Sequence, residues 1–562
     1  MPLYSQHLLR KTTLLDGLWD FQFLGTAEEP EKRFPQNLTY TDKLPVPSAW
    51  DTFPAYAGKR GTAAYRTEFQ VPANTTSFLR FRGTGMWNRV FVDGQEVETF
   101  ALPYSQVDIQ VPASASTTRE LVVLNDNRYD TQRVPLQHNF YDFYAYGGIY
   151  RSVELHVVPA LYFKNVRLLP GDVSTGKVSA SFQFEGIESG EVPVEVSVDG
   201  SALESQTLTV SNGQATATVT VPDAKPWSAE TPNLHTIRFA TKDDDYICRV
   251  GFRTISTESG QVLINGKPTQ LLGYCRHEAH PQTGPVIPLS QHVQDLQILK
   301  DLGCNFIRGS HYPQDPDFLD LCDELGFYVF EETLGWGNRE PDFTNPAFHS
   351  GQLKQTELMI EKSINHPSVI MWGHLNEGAS NKSYAVPLYR ELYQLCHDLD
   401  PSRPVTFATM FPLDDLCLDF CDIVSVNTYP AWYAEDVEEV RPLDEINSRI
   451  DKIQGHLSSV EQDSKPFIIS EIGAGAIYGW HDPHNAHWTE EYQADYLKTV
   501  CQRVVSDDKI AGVTLWQYCD GRTYSSGRAL SRPRAFNNKG TLDEYRRPKM
   551  AYKAVKEVFR GD

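Results

Sequence analysis

The sequence predicts a multidomain β plus α/β protein. An N-terminal jelly-roll-like β-sandwich (1–158) is followed by an immunoglobulin-like β-sandwich (159–258) and a C-terminal (β/α)8 TIM barrel (259–562). Three observations predict it. A chain of 562 residues exceeds what one hydrophobic core supports, so it must divide. Its first half is a series of short alternating runs separated by turn residues. Its second half alternates continuous apolar runs with amphipathic stretches.

In the first domain the strand-like runs are YRTEFQV (65–71), SFLRFRG (77–83), NRVFVDGQEV (88–97) and RELVVLND (119–126). Their spacing fits an antiparallel sandwich, and Asp93-Gly94 between apolar runs is a hairpin signal. From about residue 160 the strands change character. VSASFQFEG, VPVEVSVDG and ATATVTVP alternate strictly and are rich in Thr and Val, as in a sandwich of roughly a hundred residues. RVGFRTIS (249–256) serves as its last strand and exit.

Beyond residue 259, eight apolar runs follow in order: QLLGYC, NFIRGSHYP, YVFEET, VIMWGHLNE, VTFAT, IVSVNTYP, FIISEIG and AGVTLWQYCD. Between them lie the helices SQHVQDLQILKDLG, with Ser290 as N-cap and Gly303 past the C-terminus, and DPDFLDLCDELG. Further helices are expected to end near Asn365, to span about 384–399, 441–457 and 489–506, and to close the chain at MAYKAVKEVF. Continuous apolar strands are buried on both faces, hence parallel, and eight of them close a barrel.

Bulk composition excludes several functions. A net charge of −22 argues against nucleic acid and anionic membranes as partners, because phosphate binding needs concentrated Lys and Arg. No apolar run is long enough for a membrane span or a signal peptide. The nine cysteines are scattered without metal spacing and read as free thiols of a reducing cytoplasm, so the sequons at Asn37, Asn74 and Asn381 carry little weight. No metal or other cofactor is expected. Ten Trp, 27 Tyr and 28 Phe suit stacking on sugar rings and suit sandwich cores equally.

Barrel active sites lie at the C-terminal ends of the strands. Those ends carry Cys275 to Glu278, Arg308 to His311, Glu331-Glu332, Asn376-Glu377, Asn427 to Tyr429, Glu471 and Trp516 to Asp520. Glu377 ends the fourth run and Glu471 the seventh, so both point inward across one face. Paired carboxyls are what glycoside hydrolysis requires: in the retaining form, roughly 5–5.5 Å apart, one attacks the anomeric carbon while the other protonates the leaving oxygen. The rival reading of each glutamate alone is a structural ion pair. Glu331 and Glu332 stay ambiguous, with Arg308 or Arg276 as possible partners.

The three-part order, together with LDGLWDF, DFYAYGGIYRSVEL, RVGFRTI, INGKP, GYCRHE, RGSHYP, the Asn-Glu pair and ISEIG, resembles glycoside hydrolase family 2 along essentially the whole chain. That resemblance implies Glu377 as acid/base, Glu471 as nucleophile and Asn376 as the partner of the sugar 2-hydroxyl. FNNKG (536–540) is similar to the Asn-x-Lys motif with which the family's β-glucuronidases grip the C6 carboxylate, implicating Asn537 and Lys539; in isolation it reads as a solvated turn. Arg532 and Arg534 either assist or face solvent. The resemblance further implies sugar contacts from Asp142, Asn427, Tyr429, Tyr433 and Trp516, with Arg308 and His311 organising the nucleophile side. For Tyr429 and Trp516 core packing is the rival, and for Asp142 a capped turn.

Two departures stand out. Gly378 replaces the proline that often follows the family's Asn-Glu pair, which is expected to loosen that turn. The segment 333–351 is too short for a long loop over the site, so an open mouth tolerant of bulky or oligosaccharide aglycones is expected. The chain also stops soon after the barrel, so no further C-terminal domain is expected. The expected reaction is retaining hydrolysis of a β-D-glucuronide through a covalent glycosyl-enzyme, the partner being a small-molecule or oligosaccharide substrate and the assembly a homodimer or homotetramer. The alternatives are a β-galactosidase of the same family and a non-catalytic carbohydrate-binding protein.

Overall fold

The computed structural model of the chain describes residues 3–134, 142–433, 442–524 and 531–561. Near the N-terminus two antiparallel sheets face each other. One orders the strands Lys11–Leu14, Val153–Val158, Thr76–Phe81 and Val107–Val111; the other runs from Asp42–Val46 through Gly17–Gly25, Thr62–Gln70, Thr118–Asp126 and Trp87–Val92 to Gln95–Phe100. Trp19, Phe21, Leu79, Phe81, Val90 and Leu121 fill the space between them. The hairpin at Asp93-Gly94 forms as expected: both residues are left-handed (φ 50° and 75°), the geometry that matches the twist of paired strands.

The second sandwich hinges on one long strand, Ser189–Val198, whose first half pairs with Gln206–Ser211 and whose second half pairs with His235–Ala240. Val192, Val194, Val196 and Val198 are buried while Glu191, Pro193 and Glu195 are exposed, so the period of two seen in the sequence is the period of burial. A small meander of Ile255–Glu258, Gln261–Ile264 and Lys267–Pro268 then leads to the barrel. Its Val262 and Ile264 pack against Leu271, Phe306 and Phe330 and close the N-terminal end of the barrel.

The eight barrel strands are Leu271–Arg276, Phe306–Gly309, Tyr328–Glu332, Val369–His374, Val405–Thr409, Val424–Asn427, Phe467–Ile472 and Gly512–Leu515. They form a closed barrel, with strand eight pairing back on strand one in parallel. All eight coincide with the apolar runs of the sequence. Every residue of strand four is buried, as a strand covered on both faces must be.

One cap differs from expectation. The first barrel helix spans Leu289–Asp301 with Pro288 at the N-cap, so Ser290 lies inside the helix and caps nothing. Proline's fixed φ and missing N–H let the chain enter the helix directly after it. Gly303 does terminate that helix in the left-handed region (φ 85°). The next helix, Pro316–Leu325, starts where Asp315 accepts a bond from the Asp317 N–H.

The first sandwich also reaches the barrel mouth. Tyr104 stacks on Tyr312 with ring centroids 3.7 Å apart, Arg151 pairs with Glu278 at 2.8 Å, and the Tyr144 N–H donates to the Arg522 carbonyl at 2.9 Å. The last of these ties the segment around Tyr144 to the chain that follows strand eight. Among the described residues no helix is long and apolar enough to cross a membrane.

Candidate active site

Side chains alternate in and out along a strand, and this separates the glutamate pair on strand three. Glu331 turns outward to the Ser363 hydroxyl at 3.0 Å, and burial pushes its pKa up to about 7. Glu332 turns inward and binds Arg308. Arg276 pairs with neither glutamate; it meets Asp295 at 3.2 Å between the barrel and its helices.

Arg308, fully buried on strand two, is the hub of the interior. Its Nε and Nη2 donate to Glu332 at 3.0 and 2.7 Å, its Nη1 to Glu471 at 2.7 Å, and its Nη2 also to the Asn376 carbonyl oxygen at 2.8 Å. Burial opposes the guanidinium charge, but Glu332 and Glu471 more than restore it. His311 lies 2.9 Å from Glu332 through Nδ1 and stacks on Trp516 with centroids 5.2 Å apart. Burial and the nearby Arg308 push its pKa down to about 3. It is therefore neutral at pH 7, and the carboxylate beside Nδ1 selects the tautomer that donates from there.

Glu471 ends strand seven with both oxygens engaged. Oε1 accepts from Arg308, and Oε2 accepts from the Tyr429 hydroxyl at 2.7 Å. Glu377, just past strand four, is held differently. Its carboxylate accepts one bond, from Asn427 Nδ2 at 3.0 Å, and its backbone is left-handed (φ 53°). A non-glycine residue in that region stores strain of about 1–3 kcal/mol, tolerated where the surroundings fix it. Here the Glu377 N–H bonds the Ala408 carbonyl at 2.8 Å, and its own carbonyl accepts from Arg339 at 2.8 Å. Burial and then the charge of Glu471 push the Glu377 pKa up to about 7.

Gly378, the residue expected to loosen this turn, packs against Tyr389. A Cβ there would sit 2.6 Å from the Tyr389 hydroxyl, so the glycine permits a close approach. Asn427 also bonds Asn376 Oδ1 at 3.0 Å, which leaves Asn376 Nδ2 buried without a partner.

A second group of predicted residues gathers beside the glutamates. The Tyr433 hydroxyl accepts from Lys539 Nζ at 2.7 Å and from Arg532 Nη2 at 3.3 Å. Lys539 is 1% exposed and lies among the rings of Tyr429, Trp432 and Tyr433. Burial pushes its pKa down, and no described carboxylate pairs with it. Arg532 does have a partner, since it grips Asp142, 390 residues earlier in the chain, through both Nε and Nη2. Thr523 donates to Asp142 at 3.2 Å and Asn537 at 3.4 Å. Arg534 turns away to Glu544 at 2.9 Å.

Asp142, Glu377, Asn427, Tyr429, Tyr433, Glu471, Trp516 and Arg532 line one cavity of about 950 Å³. Asn537 instead borders a smaller hollow beside Phe143 and His277, and Lys539 lies behind Tyr433. The sequence left Glu332 undecided and missed the grip of Arg532 on Asp142. Strand parity resolves the first; nothing local in the sequence signals the second.

One carboxyl ready to hold a proton near neutrality, facing another fixed by an arginine and a tyrosine, suits acid-assisted displacement at an acetal carbon. Fold and site together define a glycoside hydrolase. Residues 255–561 match the family described as "Glycosyl hydrolases family 2, TIM barrel domain", and residues 162–253 match "Glycosyl hydrolases family 2". The chain belongs to that family.

Among solved structures, a β-galacturonidase from Eisenbergiella tayi bound to galacturonate is 36% identical, with a TM-score of 0.91 over 100% of this chain and 99% of that one. A β-glucuronidase from Ruminococcus gnavus in complex with uronic deoxynojirimycin is 25% identical, with a TM-score of 0.86 over 100% and 99%. A β-glucuronidase from Paenibacillus borealis is 28% identical over 98% of this chain and 97% of its own.

Proposed function

We propose that the protein hydrolyses β-D-glucuronides with retention of configuration, Glu471 being the nucleophile and Glu377 the acid/base. The observation that carries the uronide reading is Lys539. A buried ammonium with no carboxylate partner among the described residues costs several kcal/mol, and an incoming carboxylate supplies the missing partner. Arg532 adds a donor at the cavity wall, although Asp142 already offsets its charge. The Tyr433 hydroxyl, polarised by both cations, lines the cavity in front of Lys539.

In this mechanism Glu471 attacks the anomeric carbon while Glu377 delivers its proton to the leaving oxygen. Arg308 and Tyr429 hold the attacking carboxylate in one orientation. The unpartnered Asn376 amide is the donor left for a sugar hydroxyl. Once the glycosyl-enzyme forms, Glu471 loses its charge, the pKa of Glu377 falls, and Glu377 then takes a proton from water.

A second reading, β-D-galacturonides, is favoured by the 36% identical galacturonidase structure. Both substrates carry the same carboxylate and differ only at O4. The test is kcat/KM on matched 4-nitrophenyl β-D-glucuronide, galacturonide and galactoside. Preference for glucuronide supports the first reading and preference for galacturonide the second; preference for galactoside defeats both.

We further infer that residues 1–158, 159–258 and 259–562 are separate domains. We also infer work in a bacterial cytoplasm, supported by nine buried free cysteines, and a homodimer or homotetramer as the assembly.

A further inference from the structure

The cavity is larger than one pyranose. At about 950 Å³ it stands at the upper end of the roughly 300–1,000 Å³ typical of sites for drug-sized ligands. Part of its wall is one face of the helix Glu445–Ser459. Glu445, Ser448, Arg449 and Lys452 line it, at the spacing i, i+3, i+4, i+7. The other face of the helix is apolar, with Ile446, Ile450, Ile453 and Leu457 buried against the barrel. The polar face is therefore fixed towards the substrate by core packing.

Among the described residues, two cations on that face have no acidic partner. Arg449 makes one polar contact, from Nε to the Thr428 hydroxyl at 3.3 Å, and neither it nor Lys452 pairs with a described carboxylate. Glu445 has interactions of its own. Arg449 is half-buried and Lys452 exposed, so the two form a positive rim that an anion entering the cavity can reach. Their place says which part of the substrate brings it. Arg449 is anchored on Thr428, and both line the same cavity as Asn427 and Glu377, the group that would protonate the leaving oxygen. The sugar carboxylate is addressed by different cations, Lys539 and Arg532.

We propose that the Arg449–Lys452 face is a leaving-group subsite for a carboxylate, so that the preferred substrate is anionic on both sides of the scissile bond. This rests on the uronide reading only for the nature of the sugar. A carboxylated aromatic and a second uronic acid residue both supply the required chemistry.

The experiment uses two substrate pairs on the accepted uronide: 3-carboxyumbelliferyl against 4-methylumbelliferyl, and a uronate against a glucose residue as the leaving sugar. In each, the kcat/KM ratio of the carboxylated to the neutral member is measured for the wild type, for Arg449→Met/Lys452→Met and for the charge-conserving Arg449→Lys. Leaving-group reactivity cancels when ratios are compared between proteins. The double variant should lose about tenfold of the ratio in at least one pair, through KM, and Arg449→Lys should retain most of it. Sodium chloride should erode the wild-type preference. The pair that responds identifies the source. Ratios unchanged in both pairs overturn the proposal, and so does an equal loss in Arg449→Lys. If the wild type turns over no uronide, the uronide reading fails by itself. The same leaving groups on the accepted sugar still read the helix face.

Discussion

Glu471 and Glu377 are the same residue type at the ends of two strands of one barrel, yet their surroundings differ in the way the two proposed roles require. Glu471 has a guanidinium on one oxygen and a phenol on the other, and behind these stand Glu332, His311 and Trp516 in close packing. Glu377 has one amide donor, a left-handed backbone and a raised pKa. A nucleophile must be aimed, and donors aim it. An acid must keep its proton, and burial beside a second carboxylate keeps it there. Neighbours, not residue type, assign the roles.

The largest expected effect comes from removing the aimed group. Glu471→Ala should lower kcat by about 10⁴-fold or more while leaving the thermal transition close to that of the wild type. Glu377→Gln should cost roughly 10²–10⁴-fold on glycosides with poor leaving groups. It should cost far less on 2,4-dinitrophenyl glycosides, whose departure needs little protonation. Equal losses on both would merge the two roles that the geometry keeps apart.

Lys539→Met should cost about 10²-fold in kcat/KM on uronides and little on the corresponding neutral glycosides. Equal effects on both classes would reduce Lys539 to a packing residue.

The smallest effect is on stability. Folding raises the Glu377 pKa from 4.5 to about 7, so the folded state binds more protons across that window. Its contribution to stability is whole below the lower value and is lost as pH rises through the upper one. Glu377→Gln should therefore gain in melting temperature over the wild type between pH 5 and about 7.5, as followed by calorimetry. A gap that stays constant with pH would remove burial and Glu471 as the source of the shift. In kcat/KM, the basic limb should fall near pH 7 for the same reason.

Much of this was legible in the sequence where a local pattern has one physical solution. Strands buried on both faces must be apolar throughout, so all eight barrel strands could be read from their runs, and the two glutamates followed from where those runs end. What depends on distant packing was hidden. Asp142 meets Arg532 from the first sandwich, Lys539 sits behind a ring from the loop after strand six, and Glu331 and Glu332 differ only by strand parity. Arg449 and Lys452 lie on the polar side of an amphipathic helix, and nothing local in the sequence shows that this side borders the cavity. Ser290 failed as a cap because Pro288, two residues earlier, had already set the helix start.

The division of labour between the glutamates is tested most directly by trapping the covalent intermediate. The enzyme would be treated with a 2-deoxy-2-fluoro-β-uronosyl fluoride of the accepted epimer, digested, and the labelled peptide sequenced by mass spectrometry. A single adduct on Glu471 is the predicted result; an adduct on Glu377 or Glu332 would contradict the assignment.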